Sequence, residues 1–386
     1  MSSDSTPTGS TGPVFRNAFA GKRVVVTGHT GFKGSWLTAW LLELGADVTG
    51  LALAPHTDPN AFDLLDLAGR IDHRLGDVRD ADMIARLIAE TRPAFVFHLA
   101  AQALVREGYA SPRETYGTNV MGTVNVLDAV RLAGRACTAL IITTDKCYHI
   151  GSEPRRYAET DRLGGRDPYS SSKACTEFVT EAYRRSYFPV ETHASHGVAL
   201  ASARAGNVIG GGDWAAERLV PDVMRALAAG DEVLIRSPDA VRPWQHVLEP
   251  LSGYLWLASR MATEGPSGLA EAWNFGPRPE DHITVSGLVE AILRHWGEGT
   301  WRSTREADAP HEAAYLGLDC AKARDRLDWQ PVYDLASAIE ATVGWYKRWR
   351  AGDAMREFTL QQISRYVSDA AAGDAAWARD DGMTGA

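Results

Sequence analysis

The sequence predicts an α/β fold: a doubly wound parallel sheet with a smaller C-terminal lobe. Three observations lead to it. Between Arg23 and Ala205, short β-branched and aliphatic runs alternate with stretches of helical period. The connections between them are short, as helical crossovers in a parallel sheet require. The first run also ends in a glycine-rich turn that opens a helix.

Arg23–Thr27 is a β-branched run with the profile of a buried parallel strand. An amphipathic helix follows over 34–44, with Trp36, Leu37, Trp40 and Leu41 at helical spacing. Residues 46–53 read as the second strand. Residues 80–91 read as a helix, 94–99 as a strand, 112–134 as one long helix and 139–143 as another strand. The last strand of the sheet is placed at 199–205, just before the glycine-rich stretch Gly206–Gly212. Beyond it the alternation becomes irregular, and the pattern implies a smaller lobe mixed with returns to the sheet.

At 386 residues the chain is long enough for one large α/β domain carrying such a lobe. Its net charge of −9 argues against nucleic acid or an anionic membrane as a main partner. No apolar run approaches the roughly 20 residues needed to span a bilayer, and residues 1–19 lack the pattern of a signal peptide. The four cysteines form no Cys-x-x-Cys pair and show no metal-ligand spacing, so reduced thiols in a cytoplasmic protein with no metal are expected.

Thr27-Gly28-His29-Thr30-Gly31-Phe32-Lys33-Gly34 places three glycines between a strand and a helix. Missing side chains let the backbone approach a pyrophosphate, which then sits at the positive helix N-terminus. This Rossmann-type context indicates a dinucleotide. The acidic residue expected after the second strand is absent from Gly50–Pro55, and the preference for NAD over NADP rests on the lack of a basic residue there. His29 and Lys33, the two polar residues of the loop, face either phosphate or solvent. Asp77-Val78 would meet the adenine. His98-Leu99-Ala100-Ala101-Gln102 ends a strand in small residues against which a cofactor can lie.

Tyr169 and Lys173 sit at i, i+4, on one face of a helix. An ammonium beside a phenol favours the phenolate, so the pair reads as a lowered-pKa base with its cation. Thr144 would hydrogen-bond the hydroxyl that Tyr169 deprotonates. Asp145-Lys146 adds a second acid/base pair at the carboxyl end of a central strand, where such sheets bind ligands. Redox chemistry alone needs only one base, so a second bond is expected to be made or broken. Cys147 has no histidine partner in the pattern and is not read as a nucleophile. In the lobe, Asn207 and Arg242 suit a diphosphate, and Arg218 is a weaker candidate of the same kind. His246-x-x-Glu249 is read as structural rather than metal-binding.

These motifs resemble the extended short-chain dehydrogenase/reductase superfamily and, within it, most closely the CDP-glucose 4,6-dehydratases. The similarity runs over about residues 20–350. Its signatures are residues 27–34, 98–102, 118–123, 143–148, 167–170, 206–214 and 242–247. The related dTDP-glucose enzymes carry glutamate where this chain has Lys146. The resemblance implies NAD as cofactor and a nucleotide-diphospho-sugar as substrate. Gly28, His29, Gly31, Phe32, Lys33, Gly34, Asp77, Val78, Leu99, Ala100, Ala101, Thr118, Tyr169 and Lys173 would serve the cofactor. Gln102, Asn207, Arg218, Arg242 and Gln245 would serve the substrate, and Thr144, Asp145, Lys146, Tyr169 and Lys173 the reaction. Tyr169 would take the C4 hydroxyl proton, Lys146 would act at C5, and Asp145 would protonate the departing C6 hydroxyl. The net reaction is loss of water. A 5,6-dehydratase or 4-epimerase on the same scaffold, or a non-catalytic NAD-binding protein, is the alternative.

The expected organisation is a disordered tail over 1–19, a Rossmann-type NAD-binding domain over 20–205 with later returns near 245–277, and a mainly substrate-binding lobe over 206–350. A C-terminal extension over 351–386 would be disordered toward its end. Helices at 112–134 and 168–187 could pair across a two-fold axis, so a homodimer or homotetramer is expected. The chain departs from the family pattern at 102–105 and over His149–Glu159, close to the expected active site.

Overall fold

The structure is a computed structural model that describes residues 14–151, 153–304 and 315–379. The first five strands are β1 (Arg23–Thr27), β2 (Asp47–Ala52), β3 (Asp72–Leu75), β4 (Phe95–His98) and β5 (Cys137–Ile142). β6 (Arg156–Tyr157) lies outside the main sheet, β7 (Val198–Ala205) rejoins it, and β8 (Asn207–Ile209), β9 (Val233–Ile235) and β10 (Val241–His246) build the lobe. β11 (Ala272–Phe275) returns to the sheet, followed by β12 (His282–Thr284), β13 (Trp301–Ser303) and β14 (Gly317–Leu318).

The main sheet has seven strands in the order β11-β7-β5-β4-β1-β2-β3. Every pair in it is parallel. Chain order reverses between β1 and β4, which leaves a crevice at the carboxyl ends of these strands. Thr27 is level with Leu51 on one side and with His98 on the other, so the ends of β1, β2 and β4 line up along that crevice. The apolar runs of β1, β4 and β5 are buried because helices cover both faces. Helices Phe32–Glu43 and Leu248–Glu264 contribute to one apolar cluster, and Ala81–Thr91 and Gly122–Ala133 to the other.

β11 lies outside β7, so Ala199–Ala205 is not the last strand of the sheet. Its short AWNF run is too brief to stand out from sequence, although it falls within the expected returns near 245–277. The 112–134 helix is divided: Pro112–Tyr116 passes through a wide turn at Gly117–Met121 into Gly122–Ala133. The lobe holds a β12-β10-β8 sheet and a β13-β9 pair with helices Leu219–Ala229 and Val285–Trp296.

Three other expectations give way to packing at the chain ends. Helix Phe32–Glu43 is not amphipathic, for Ser35, Thr38 and Ala39 are buried with Trp36, Leu37, Trp40 and Leu41. Its outer face is covered by residues placed in the tails. Phe15 is fully buried and stacks on Trp377 with ring centroids 4.9 Å apart, and both rings contact Trp40. The C-terminal extension forms helix Met355–Ala372, whose Tyr366 is buried against Trp40. Burying aromatic rings of this size provides the free energy to order 14–19 and 355–379. Residues 1–13 and 380–386 of the expected tails lie outside the described residues. Among the described residues, no helix is long and apolar enough to cross a membrane.

Candidate active site

The crevice begins at the glycine turn. Gly28 has φ +78°, and a Cβ there would lie 2.6 Å from the Ala100 nitrogen. A Cβ on Gly34 would lie 2.1 Å from the Gly28 carbonyl oxygen. Only bare backbone fits at either point. Gly31 caps the helix that starts at Phe32 without any side-chain bond, so the first-turn N–H groups stay free for an anion. Leu99 N donates to Thr27 O at 3.1 Å and Ala100 N to Thr27 Oγ1 at 3.3 Å, which holds Leu99–Ala101 beside the turn. This cradle fits the pyrophosphate of a dinucleotide. Thr118 stands on the wide turn of the neighbouring helix.

Two polar residues assigned to the cofactor have protein partners. His29 is fully buried, with Nε2 2.7 Å from His73 Nδ1. Burial and then the His73 charge lower its pKa to about 4, so its neutral ring belongs to the interior and reaches neither phosphate nor solvent. Asp77 binds Arg79 through both oxygens, accepting from its backbone N–H at 2.8 Å and from Nη2 at 2.6 Å. Its carboxylate is shared with Arg79 and stays partly exposed. Val78 is buried and its carbonyl accepts from Asn125. Leu53 and Leu75, 61% and 60% exposed, extend from the ends of β2 and β3 in place of an acidic residue.

β5 delivers the reactive turn. Thr144 Oγ1 donates to Asp145 Oδ1 at 3.0 Å and accepts from the Lys146 N–H at 3.3 Å. Asp145 is 1% exposed, and its Oδ2 has no hydrogen-bond partner. Gly206 leaves that oxygen room, since a Cβ there would be 3.1 Å from it. Lys146 is only partly buried.

Asp167 starts the facing helix by accepting from Ser170 N at 2.9 Å, with Pro168 in its first turn. Tyr169 and Lys173 are both buried, and Lys173 Nζ donates to Ile142 O at 3.2 Å. The Tyr169 pKa is pushed up to about 12 by burial, against the opposing effects of the Thr144 hydroxyl and the Arg218 charge. The expected ammonium-driven lowering of the phenol is therefore not what this structure shows. Lys173 in turn falls to about 8 through burial, with Glu177 and then Cys147 opposing. Desolvation moves both groups toward their neutral forms. Lys33 also falls to about 8, through burial and the charges of Arg218 and Lys173, while Asp145 and Asp213 oppose. Its ammonium therefore shares this electrostatic environment as well as belonging to the cofactor loop.

The residues assigned to substrate divide. Arg218 pairs with Asp213 at 3.0 Å yet still acts on Tyr169, and Asn207 stands at the start of β8 next to Gly206. Arg242 is 9% exposed and donates to Val241 O at 2.9 Å. The Gln102 amide folds onto Leu104, donating to O at 2.9 Å and accepting from N at 3.0 Å. Gln245, 2% exposed, donates to Phe275 O and ties β10 to β11. Glu249 caps Val332 and Tyr333, the structural role read for that segment.

Sequence reasoning missed Glu177, Arg204, Tyr148 and Asn274, a buried network beneath the turn. The available signal was the extension of the helix pattern to Tyr169-x-x-x-Lys173-x-x-x-Glu177. The atypical 149–159 loop is anchored at both ends by Tyr148 stacked on Tyr157, with centroids 5.3 Å apart. Among the described residues, no group of three or more His, Cys, Asp or Glu side chains could hold a metal ion.

Residues 25–342 match the family model described as GDP-mannose 4,6-dehydratase. A CDP-glucose 4,6-dehydratase from Salmonella typhimurium is 48% identical over 354 residues, covering 92% of this chain and 98% of its own. A dTDP-glucose 4,6-dehydratase from Streptomyces antibioticus is 30% identical over 339 residues, covering 85% of this chain and 93% of its own. Among solved structures, a Streptomyces venezuelae dTDP-glucose 4,6-dehydratase with NAD and TYD bound superposes with TM-score 0.72 at 25% identity, covering 86% of this chain and 98% of its own. A Thermus thermophilus UDP-glucose 4-epimerase in complex with NAD gives TM-score 0.69 at 24% identity, covering 84% and 99%. With the glycine cradle, the Thr144-Asp145 turn and the Tyr169 helix in one crevice, the chain belongs to the GDP-mannose 4,6-dehydratase family of nucleotide-sugar enzymes.

Proposed function

We propose that this chain is an NAD-dependent nucleotide-sugar 4,6-dehydratase, a hydro-lyase that converts CDP-D-glucose to CDP-4-dehydro-6-deoxy-D-glucose. One observation carries the reading: Asp145, just after the central strand β5, is buried with one carboxylate oxygen unpartnered, while its other oxygen accepts from Thr144. A redox-only site has no use for that oxygen. The 48% identity with a CDP-glucose 4,6-dehydratase supports the choice of sugar nucleotide.

The division of labour follows the fold. The sheet, residues 20–205 with β11, takes NAD in the Gly28–Gly34 cradle and along Leu99–Ala101. The lobe of 206–350 takes the diphosphate through Arg218, Arg242 and Asn207. When bound, NAD supplies the redox chemistry, taking up the C4 hydrogen and returning it at C6. Tyr169 accepts the C4 hydroxyl proton while Thr144 orients that hydroxyl. Lys173, one helical turn beyond Tyr169, supplies a positive charge on the same helix. A C4 ketone acidifies the C5 proton, and Lys146 acts at C5 to take it up. Asp145 protonates the C6 hydroxyl as it leaves as water, and a proton then returns to C5.

Tyr109, Tyr116, Met121, Leu132, Phe178 and Tyr187 are exposed on the segments 105–133 and 168–187, which supports pairing of two copies through these helices. The four free cysteines suit a cytoplasmic location. Incubation with CDP-, dTDP-, UDP- and GDP-glucose, followed by alkaline absorbance of a 4-keto product, tests the reading. Turnover of CDP-glucose supports it, and product from none of the four refutes it.

A further inference from the structure

One helical turn beyond Lys173, Glu177 is 4% exposed and has no task in the reaction above. It pairs with Arg204, itself 3% exposed, at 2.8 Å. A buried ion pair of this kind is weak evidence for stability, because desolvation offsets most of its attraction. Its other partners are more informative. Thr143 Oγ1 donates to Glu177 Oε1 at 2.5 Å, and Ser202 Oγ donates to Oε2 at 2.7 Å. Arg204 Nη1 donates to the Tyr148 hydroxyl at 2.7 Å, which donates to Asn274 Oδ1 at 2.7 Å. Asn274 Nδ2 then donates to Tyr157 O and Asp319 O. Thr143 is the residue before the reactive turn and Tyr148 the residue after it. The carboxylate holds one end of that turn and the guanidinium holds the other.

We propose that Glu177 and Arg204 are positioning residues that clamp both ends of the Thr144–Cys147 turn to the helix carrying Tyr169 and Lys173. This builds on the dehydratase reading. Acid and base must keep one spacing while C4, C5 and C6 react in turn, and a shift of about 1 Å costs on the order of 100-fold in rate. Glu177 also faces Lys173 together with Cys147 from the turn. His98 from β4 and Lys33 from the first helix lie within the electrostatic reach of the same ammonium. Of these, only Glu177 and Cys147 favour the charged lysine.

The test uses the full-length enzyme with NAD and CDP-glucose. Glu177→Gln should lower kcat about 10- to 100-fold with KM changed less than about twofold. The alkaline limb of its pH profile should move to lower pH, because the neutral amide no longer supports the Lys173 charge. Thr143→Val and Tyr148→Phe keep the ion pair but release one end of the turn each, and should lower kcat several-fold at unchanged KM. Backbone hydrogen exchange should quicken over 143–148 in all three variants and not elsewhere in the sheet. Folded variants with parental kcat, pH profile and exchange would overturn the proposal. If Glu177→Gln does not fold, the two milder variants decide alone. Exchange reports on the clamp whatever the substrate, whereas failure of the parent on CDP-glucose counts only against the dehydratase reading.

Discussion

Gly34→Ala puts the cofactor cradle to a quantitative test. In a helix the change would normally help, since alanine is favoured over glycine by about 1 kcal/mol. Here the added carbon falls 2.1 Å from the Gly28 carbonyl oxygen and 2.8 Å from both the Gly28 carbonyl carbon and His29 Cα. The first contact is more than an ångström too short, and all three partners are backbone or Cα atoms that cannot swing aside. Relief requires the turn to move away from the helix, but Gly28 is pressed against Ala100 on its far side. Overpacking with so little room costs about 3 kcal/mol or more, which outweighs the propensity gain. Net destabilisation of about 2 kcal/mol should lower Tm by several degrees. The displaced N–H groups should weaken NAD binding by at least about tenfold, equivalent to 1.4 kcal/mol. Calorimetry gives both quantities. Gly31→Ala is the control for stability, because its Cβ would meet only the Gly28 oxygen at 3.4 Å and should leave Tm nearly unchanged. A Gly34→Ala protein with parental Tm and NAD affinity would refute the argument.

Tyr169→Phe should keep the fold and reduce turnover by on the order of 1,000-fold or more, measured as 4-keto product. Asp145→Asn should slow water loss more than C4 oxidation, seen as accumulated reduced nicotinamide absorbance in a single turnover; equal slowing of both steps would count against its role. Lys173 has its pKa lowered from 10.5 to about 8, so its charge is present below about pH 8 and lost above it. Turnover should therefore fall on the alkaline side from about pH 8, whereas an unperturbed lysine would hold it constant to above pH 10. Trp377→Ala should cost about 3–5 kcal/mol in urea unfolding, since the ring is fully buried between Phe15 and Tyr366.

Local chemistry was legible in the chain. The Val24–Val26 run, the three glycines and the Tyr169–Lys173 spacing each depend on neighbours within eight residues, and the structure places these elements around one crevice. Signals that depend on distant partners were not. His29 looks like a phosphate ligand until His73, 44 residues away, takes its ring. Gln102 looks free until its own loop folds onto it. Arg204 sits within a strand that reads as small and apolar, and only the arrival of Glu177 and Tyr148 makes that charge tolerable. The tails misled for the same reason. Ser- and Ala-rich flanks conceal Phe15 and Trp377, and burial of either ring depends on the other end of the chain.

That meeting of the two ends has a consequence for how the protein is made. Helix Phe32–Glu43 leaves the ribosome well before Tyr366 and Trp377, which cover its outer face. During synthesis the cofactor helix therefore stands with Trp40 uncovered, and the nascent domain carries an apolar surface until residues 366–377 have been made. Closure of this part of the core waits for residues 366–377, so a product truncated before residue 366 exposes the surface that chaperones and proteases recognise.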